Sequence, residues 1–375
     1  MFPITSVIVN LALWSDGGNL FCMEDKKWKP RGYGYEEAME YIKGRRTGEI
    51  TSLKTRWEKF NHAGTDGIEF HSTVIIGGRP GSLKSAIKDQ IIRDAFEFNP
   101  TLKFRVLDFQ FEMVARVTAL RELSAAVGKS YKYLCSAEGQ IDKEDYIKCQ
   151  DYGKEKADYE KYPVDVIEES CSIEEFGKII DDYMESHSTL EMIKGKETKI
   201  YTKTIIAVDH SILFEDDETD LNRLLLNLGK MLTSKKRKYP IIFLILSQLN
   251  RNVEKEERNG ERRYGNYILA SDFYGSEGLG MHADMQIGLD RPALRNIRVY
   301  GPPGFIIDSE CDLVLRWIKC RNGENQLSFF KVDFASMTIH EVDPPPVVKG
   351  GMAAKEKDVF QPKKDFNPQT KANLQ

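Results

Sequence analysis

Between residues 71 and 342 the chain alternates short, nearly uninterrupted apolar blocks with longer stretches whose apolar residues recur every three or four positions. The blocks at 73–76, 103–109, 164–167, 203–208, 240–246, 313–319 and 327–332 predict strands. Helical spacing predicts helices over 85–98, 112–127 and 221–232, and Ser172-Ile-Glu-Glu175 has the spacing of a capping box that opens another helix to about residue 186. Strands that are apolar throughout, separated by helices, predict an α/β fold: a mainly parallel sheet with helices on both faces. Residues 35–43 predict a short amphipathic helix, which cannot bury its stripe alone and is expected to dock on the main body or a neighbouring subunit. Residues 130–162 are charged, tyrosine-bearing and weakly periodic, consistent with a surface helix or an insertion. Residues 254–265 read as a charged loop. From Asp343 the chain holds Pro344-Pro-Pro346, glycines and many lysines, the composition of a disordered or partner-binding arm. No internal repeat is apparent. These patterns divide the chain into an N-terminal extension (1–45), a main domain (46–342) and a flexible tail (343–375).

Composition narrows the class without changing the fold. The chain has 375 residues, 41% hydrophobic and 30% charged, enough for one large α/β domain with extensions or for two small domains. A formal net charge of −4 gives no global attraction to nucleic acid, so such a partner needs a local basic surface or a ring of subunits. The six cysteines are scattered, with no C-x-x-C pair, and are read as reduced thiols of a cytoplasmic protein. The apolar run at 4–14 is broken by Thr5, Ser6 and Asn10 and lacks the flanks of a signal peptide, and no stretch approaches the length of a membrane span.

Candidate chemistry centres on Gly78-Arg-Pro-Gly-Ser-Leu-Lys-Ser85, which follows one predicted strand and opens a helix. Backbone amides in such a turn and at a helix N-terminus hold phosphate, the lysine reaches the outer phosphates, and the serine hydroxyl holds Mg²⁺. Gly78, Arg79, Pro80, Gly81, Ser82, Leu83, Lys84 and Ser85 are therefore candidates for nucleotide binding. Leu83 stands where the usual pattern has a second glycine.

Ligands of a parallel sheet lie beyond the carboxyl ends of its strands, so polar residues there matter most. Ile205-Ile-Ala-Val-Asp209 ends in an acid suited to Mg²⁺, Glu112 follows another strand as a candidate to polarise an attacking water, and Gln248 ends a third where it would touch a γ-phosphate. Each has a plainer reading: Asp209 as a helix cap, Glu112 as a first-turn acid, Gln248 as a loop residue satisfying backbone groups. Their joint order favours NTP hydrolysis.

The run Ser247-Gln-Leu-Asn-Arg-Asn-Val-Glu254 resembles the strand-end motif of the DnaB-type hexameric replicative helicases, whose motor is a RecA-like ATPase. Thr47-Gly48 through Leu53 and Phe60, Gly78 to Ser85, Phe111-Glu-Met113, Ala270-Ser-Asp-Phe-Tyr-Gly-Ser276 with Ala283-Asp284, and Lys319-Cys-Arg-Asn-Gly323 resemble further family segments in the same order. The resemblance spans roughly 45–340 and implies an ATP-dependent, ring-forming helicase that translocates on single-stranded DNA during replication. It implies ATP and Mg²⁺, with Lys84 and Ser85 on the phosphates and metal, Asp209 supporting the metal, Glu112 as catalytic base and Gln248 as γ-phosphate sensor. Lys319 and Arg321 would reach into the next subunit's site. They are spaced i, i+2 on a predicted strand, so they project from one face and can converge on one phosphate. DNA would contact Asp272, Phe273, Tyr274, Gly275 and Ser276, with backbone amides helping to hold successive phosphates. Partners implied are a homohexamer and a primase or helicase loader, with no membrane.

The chain also departs from the family. Residues 1–34 are too short for the helical collar domain of the bacterial enzymes, which suggests a minimal phage or mobile-element form, or a motor working with separate subunits, in a bacterial or phage-infected cytoplasm. Tyr274, Gly275 and Glu277 replace an arginine, an acid and a glycine, leaving Tyr274 to stack on DNA or to pack internally. Leu83 adds Cβ bulk beside phosphate, and weakened but not abolished nucleotide binding is expected. The alternative it motivates is a RecA-like ring that binds nucleotide or DNA with weak or no hydrolysis. A recombinase or clock-type ATPase is a third reading, against which the Lys319–Gly323 motif argues.

Overall fold

The computed structural model describes residues 28–348 apart from 194, 212–219, 256–257, 259–265, 275–277 and 311. The predicted apolar blocks form the strands β1 (Ser72–Gly78), β2 (Phe104–Gln110), β3 (Val164–Ile167), β6 (Lys203–Asp209), β7 (Ile241–Gln248), β11 (Asp312–Cys320) and β12 (Leu327–Asp333). With β8 (Met285–Asp290) and β13 (Thr338–Val342) they build one sheet in the order β13-β12-β11-β8-β1-β7-β6-β2-β3. From β8 through β3 neighbouring strands are parallel, while β11, β12 and β13 add an antiparallel flank. Two separate strand pairs stand outside it: β4 (Ser188–Ile193) with β5 (Lys196–Tyr201), and β9 (Val299–Tyr300) with β10 (Phe305–Ile306).

Strand parity explains how both faces are covered. Val74 and Ile76 of β1, Ile205 and Ala207 of β6, and Ile242, Leu244 and Leu246 of β7 join one core. That core holds Ile87 and Ile91 of α3 (Lys84–Phe98) and Phe60 of α2 (Glu58–Ala63), with Leu53 and Trp57 beside them. Ile75, Ile206, Val208, Phe243 and Ile245 point the other way, onto α7 (Ile173–Ser186) and α8 (Leu221–Lys238). Each such side chain, fully buried, contributes about 1.5–3 kcal/mol. No described helix is long and apolar enough to cross a membrane.

The structure revises several expectations. The charged stretch 130–162 folds into α5 (Tyr131–Cys135) and α6 (Lys143–Lys156), capped by Ser130 and Asp142, and α6 packs on α4 (Ala115–Val127). The helix expected from 112 starts at Ala115, so Glu112 lies in the bend between β2 and α4 rather than in a first turn. The helix expected over 221–232 runs on to Lys238 because its last turns are anchored by ion pairs of Lys235 with Asp181 and Lys236 with Asp284.

Both expected domain boundaries also fall inside described structure. The N-terminal helix α1 (Arg31–Thr47) is longer than expected and ends only at Gly48, with φ 78°. It does not dock its stripe on the body: Tyr35, Met39 and Ile42 are exposed. Its C-terminal half is tied down, Tyr41 donating to the Glu69 carboxylate and Arg45 to Ser52 Oγ and to the Thr65 carbonyl, the latter two at 2.9 Å. At the other end the tail expected from 343 stays attached through Val348. The Ile306 amide donates to the Pro346 carbonyl at 2.8 Å and the Val348 amide to the Gly304 carbonyl at 3.1 Å, so Pro346 serves as an acceptor in an added edge. The apolar run at 4–14, most of the charged loop 254–265 and the tail beyond 348 lie outside the described residues.

Candidate active site

The carboxyl ends of β1, β7, β6 and β2 lie along one edge of the sheet, where the 78–85 loop leaves β1. Gly78 lies opposite Gln248 in the β1–β7 register, and Gln110 opposite Asp209 in the β2–β6 register. Glu112 follows two residues after Gln110, is exposed, and acts electrostatically on both Lys84 and Asp209. Among the described residues Asp209 caps no helix: the cap of α8 is Asp220.

Close backbone approach shapes the loop. A Cβ on Gly78 would stand 2.2 Å from Ser82 Oγ and 3.2 Å from the Leu289 carbonyl oxygen, so only glycine fits there. Gly81 has φ 75°, and its carbonyl accepts from Arg291 Nη1 at 3.1 Å. Arg79 is ion-paired with Glu254, Nε to Oε1 at 2.9 Å. Leu83 occupies the left-handed region, φ 70° and ψ 27°, as the residue preceding α3. For a residue with a Cβ this costs about 1–2 kcal/mol. Its side chain packs against the main core, which offsets part of that strain. Leu83→Gly is therefore expected to leave the melting temperature within a few degrees and to tighten nucleotide binding several-fold, as read by titration with a fluorescent nucleotide.

Lys84 turns back into the loop and donates to the carbonyls of Gly78 at 3.0 Å and Arg79 at 3.1 Å. Burial depresses its pKa, and the carboxylates of Asp209 and Glu112 oppose that shift. Burial raises the pKa of Asp209, against the charge of Lys88 and a hydrogen bond from Ser85. Among the described residues Ser82 Oγ and Asp209 Oδ1 are buried without a protein hydrogen-bond partner, as are His210 Nδ1 and Ser211 Oγ just beyond Asp209. Unsatisfied buried polar atoms are costly, and here they collect around an amide-lined turn at a helix N-terminus. The site fits a nucleotide with a divalent metal. His210 was not foreseen from the sequence; burial and the nearby Lys84 push its pKa down to about 4, which keeps the imidazole neutral.

Lys319 and Arg321 lie at the opposite edge of the sheet. Cys320 pairs with Met285 at the start of β8, and the Arg321 amide donates to the Asp284 carbonyl beside the start of β1. β1 spans seven residues, so roughly 20 Å of strand separates them from their own loop. The two cations do converge: Lys319 Nζ donates to the carbonyls of Gly280 and Met281, and Arg321 Nη2 to that of Met281 at 3.2 Å, at the end of α9 (Gly278–His282). Asp284 anchors the group, accepting from the Thr73 amide at 2.8 Å and pairing with Lys236 and, at 3.5 Å, with Arg321. The Arg321 side chain remains 52% exposed.

The segment 272–276 divides. Asp272 is buried, bound to Arg258 and to the Leu269 amide at 2.7 Å. Phe273 is buried with its ring against Gly77, where a Cβ would meet it at 2.3 Å. Tyr274 is 44% exposed. The amides of all three donate internally, that of Tyr274 to the Gln248 carbonyl at 2.9 Å. Backbone donors to DNA from this segment would thus have to come from Gly275 and Ser276, which lie outside the described residues. The same bonds zip residues 248–250 to 271–274, with Leu249 bridged to Phe273 and the Asn250 amide on the Asp272 carbonyl at 2.7 Å.

Residues 52–334 match the family model for the DnaB-like helicase C terminal domain. No curated protein matches the sequence. Among solved structures the chain is similar to a DnaB-like replicative helicase described with its interactions with primase, at TM-score 0.64 and 16% identity over 82% of this chain and 66% of that one. It therefore spans just under two thirds of that helicase's length. It is similar also to a second solved structure, described as an ATPase domain, at TM-score 0.65 and 16% identity over 82% of this chain and 98% of that one. At such identity the likeness establishes the fold, which is RecA-like.

Proposed function

From the premise that this chain belongs to the DnaB-like helicase C-terminal domain family, we propose that it is an ATP-hydrolysing, ring-forming helicase motor that translocates on single-stranded DNA in replication. The observation that carries this reading is the meeting of Lys84, Ser85, Asp209, Glu112 and Gln248 at one carboxyl edge while Lys319 and Arg321 sit at the other. A chain with its loop on one edge and its cations on the other would bring the two together only through a head-to-tail contact with a second copy, which gives a ring where the rotation closes.

Ser85 and Asp209 would hold Mg²⁺, which supplies charge neutralisation at the terminal phosphates. Lys84 would exchange the two loop carbonyls for phosphate oxygens, and the amides of the loop and the first turn of α3 would hold the rest. Glu112 would accept the proton of the attacking water as its oxygen bonds to the γ-phosphorus, with ADP leaving. Catalysis of this kind is positioning plus charge stabilisation. Gln248 would touch the γ-phosphate, and its backbone bond to Tyr274 gives a physical route from phosphate loss to the exposed tyrosine. Tyr274 would stack on a base or sugar, a contact of about 1–3 kcal/mol.

The test is ATP turnover with and without single-stranded DNA, alongside particle imaging with a non-hydrolysable analogue. Stimulated turnover by rings with a threaded strand is expected. Rings that bind DNA without any turnover, and behave identically as Lys84→Ala, would leave a nucleotide- or DNA-binding ring and end the motor reading.

A further inference from the structure

A lysine that no sequence motif marks is buried one helical turn beyond Lys84. Lys88 is 1% exposed. Its ammonium is held by both oxygens of Asp108, at 2.9 and 2.7 Å, and by Asp89 at 3.2 Å. Asp108 accepts in turn from Gln110 Nε2 at 2.8 Å, and Gln110 Oε1 accepts from Thr118 Oγ1 at 3.1 Å. Lys88, Asp108 and Gln110 are all buried, and the chain of bonds runs from α3 through β2 to α4.

We propose that Lys88, Asp108 and Gln110 form a buried polar brace that fixes the register of the phosphate-loop helix against the end of β2, and so positions Glu112 for turnover. This rests on the ATPase reading above. A buried ion pair is a poor way to gain stability, since apolar residues of similar volume serve as well or better. It does fix geometry: directional bonds at both carboxylate oxygens forbid the sliding that an apolar contact tolerates. The two elements joined are the one carrying Lys84 and Ser85 and the one leading, two residues after Gln110, to Glu112. Gln110 also lies opposite Asp209 in the sheet, so the braced strand end is the neighbour of the metal-side carboxylate. The charge of Lys88 further helps Asp209 stay ionised despite its burial. These are positioning residues; none of them reaches the loop's own carbonyls.

The test compares the full-length chain with Lys88→Met/Asp108→Leu, which removes the two central charges together; Asp89, which also loses Lys88, is already pushed toward its protonated form by burial. Asp108→Asn, which keeps the side-chain shape and one acceptor oxygen for Lys88 and leaves Asp89 as the counterion of the ammonium, serves as the conservative variant. The double variant is expected to melt no lower than the parent and to bind Mg-nucleotide within a few-fold of it. Its kcat should fall by about a hundredfold, the scale of a small misplacement of a reacting group, with amide exchange at 109–113 accelerated. Asp108→Asn should recover a large part of kcat. Unchanged kcat overturns the proposal, whether or not exchange rises, because the brace would then be structural only. Lowered nucleotide affinity with kcat intact overturns it as well. An unmodified chain that shows no turnover fails the motor reading instead, a result visible before either variant is made.

Discussion

Arg321→Ala is expected to lower ATP turnover by about a thousandfold, the lower end of what a cationic finger contributes, while nucleotide binding stays near that of the parent. Roughly 20 Å of strand lies between Arg321 and the loop of its own chain, so its loss cannot touch that site directly. Mixing separates action in trans from action in cis. Lys84→Ala chains lack the ammonium proposed to grip phosphate, and Arg321→Ala chains lack the proposed finger; each population alone should be nearly inactive. In mixed rings some sites pair an intact Lys84 with a neighbour's intact Arg321, and turnover should return. Absence of recovery in demonstrably mixed rings would show that Arg321 serves its own chain or none. Arg321→Lys should recover little, because Asp284 and the Met281 carbonyl orient a planar fork that a point charge does not reproduce.

The mixing experiment bears on how far this molecule is legible as a string of residues. Parallel strands buried on both faces leave continuous apolar blocks, so β1, β6 and β7 and the residues at their carboxyl ends stood out. β8 did not, because Gln286, Gly288 and Asp290 alternate with its apolar positions. Their burial is satisfied by tertiary partners such as Arg295 on Asp290, which no local pattern announces. The brace was hidden for the same reason. Asp108 and Gln110 share the face of β2 that Val106 turns to the α3 side, and Lys88 sits between Ile87 and Ile91 of α3. Read together, an acid inside an apolar strand and a lysine between buried isoleucines would have signalled a buried pair. Read singly, each passes for a solvated position. The β4–β5 hairpin carries exposed Leu190 and Met192 and no alternation clean enough to predict a strand. Leu83 is the reverse case: it stands where the usual pattern has a glycine, and the backbone there adopts the left-handed conformation that glycine favours.

The glycine that closes the Lys319–Gly323 motif yields the largest effect expected on stability. A Cβ on Gly323 would stand 2.0 Å from the Ala63 carbonyl oxygen and 2.8 Å from Cys320 Sγ. The same carbonyl accepts the Glu324 amide at 2.8 Å, so the turn after β11 is clamped onto the end of α2 by backbone on both sides. The Ala63 carbonyl, the nearer of the two, is backbone and cannot swing away as a side-chain tip can. Gly323→Ala is therefore expected to cost about 3 kcal/mol, the upper part of the range for forced overpacking, read as a lowered urea midpoint at unchanged slope. Asn322→Ala next to it removes only an exposed bond to Glu69 at 3.3 Å and should melt with the parent. Displacing this turn also shifts Arg321, two residues earlier, from Asp284. At a temperature where Gly323→Ala is still folded it should bind nucleotide normally, yet fail to restore turnover when mixed with Lys84→Ala chains. A Gly323→Ala protein as stable as the parent and competent in that mixture would mean that the motif's glycine is not needed for the close approach of α2, and that the finger is held by Asp284 alone.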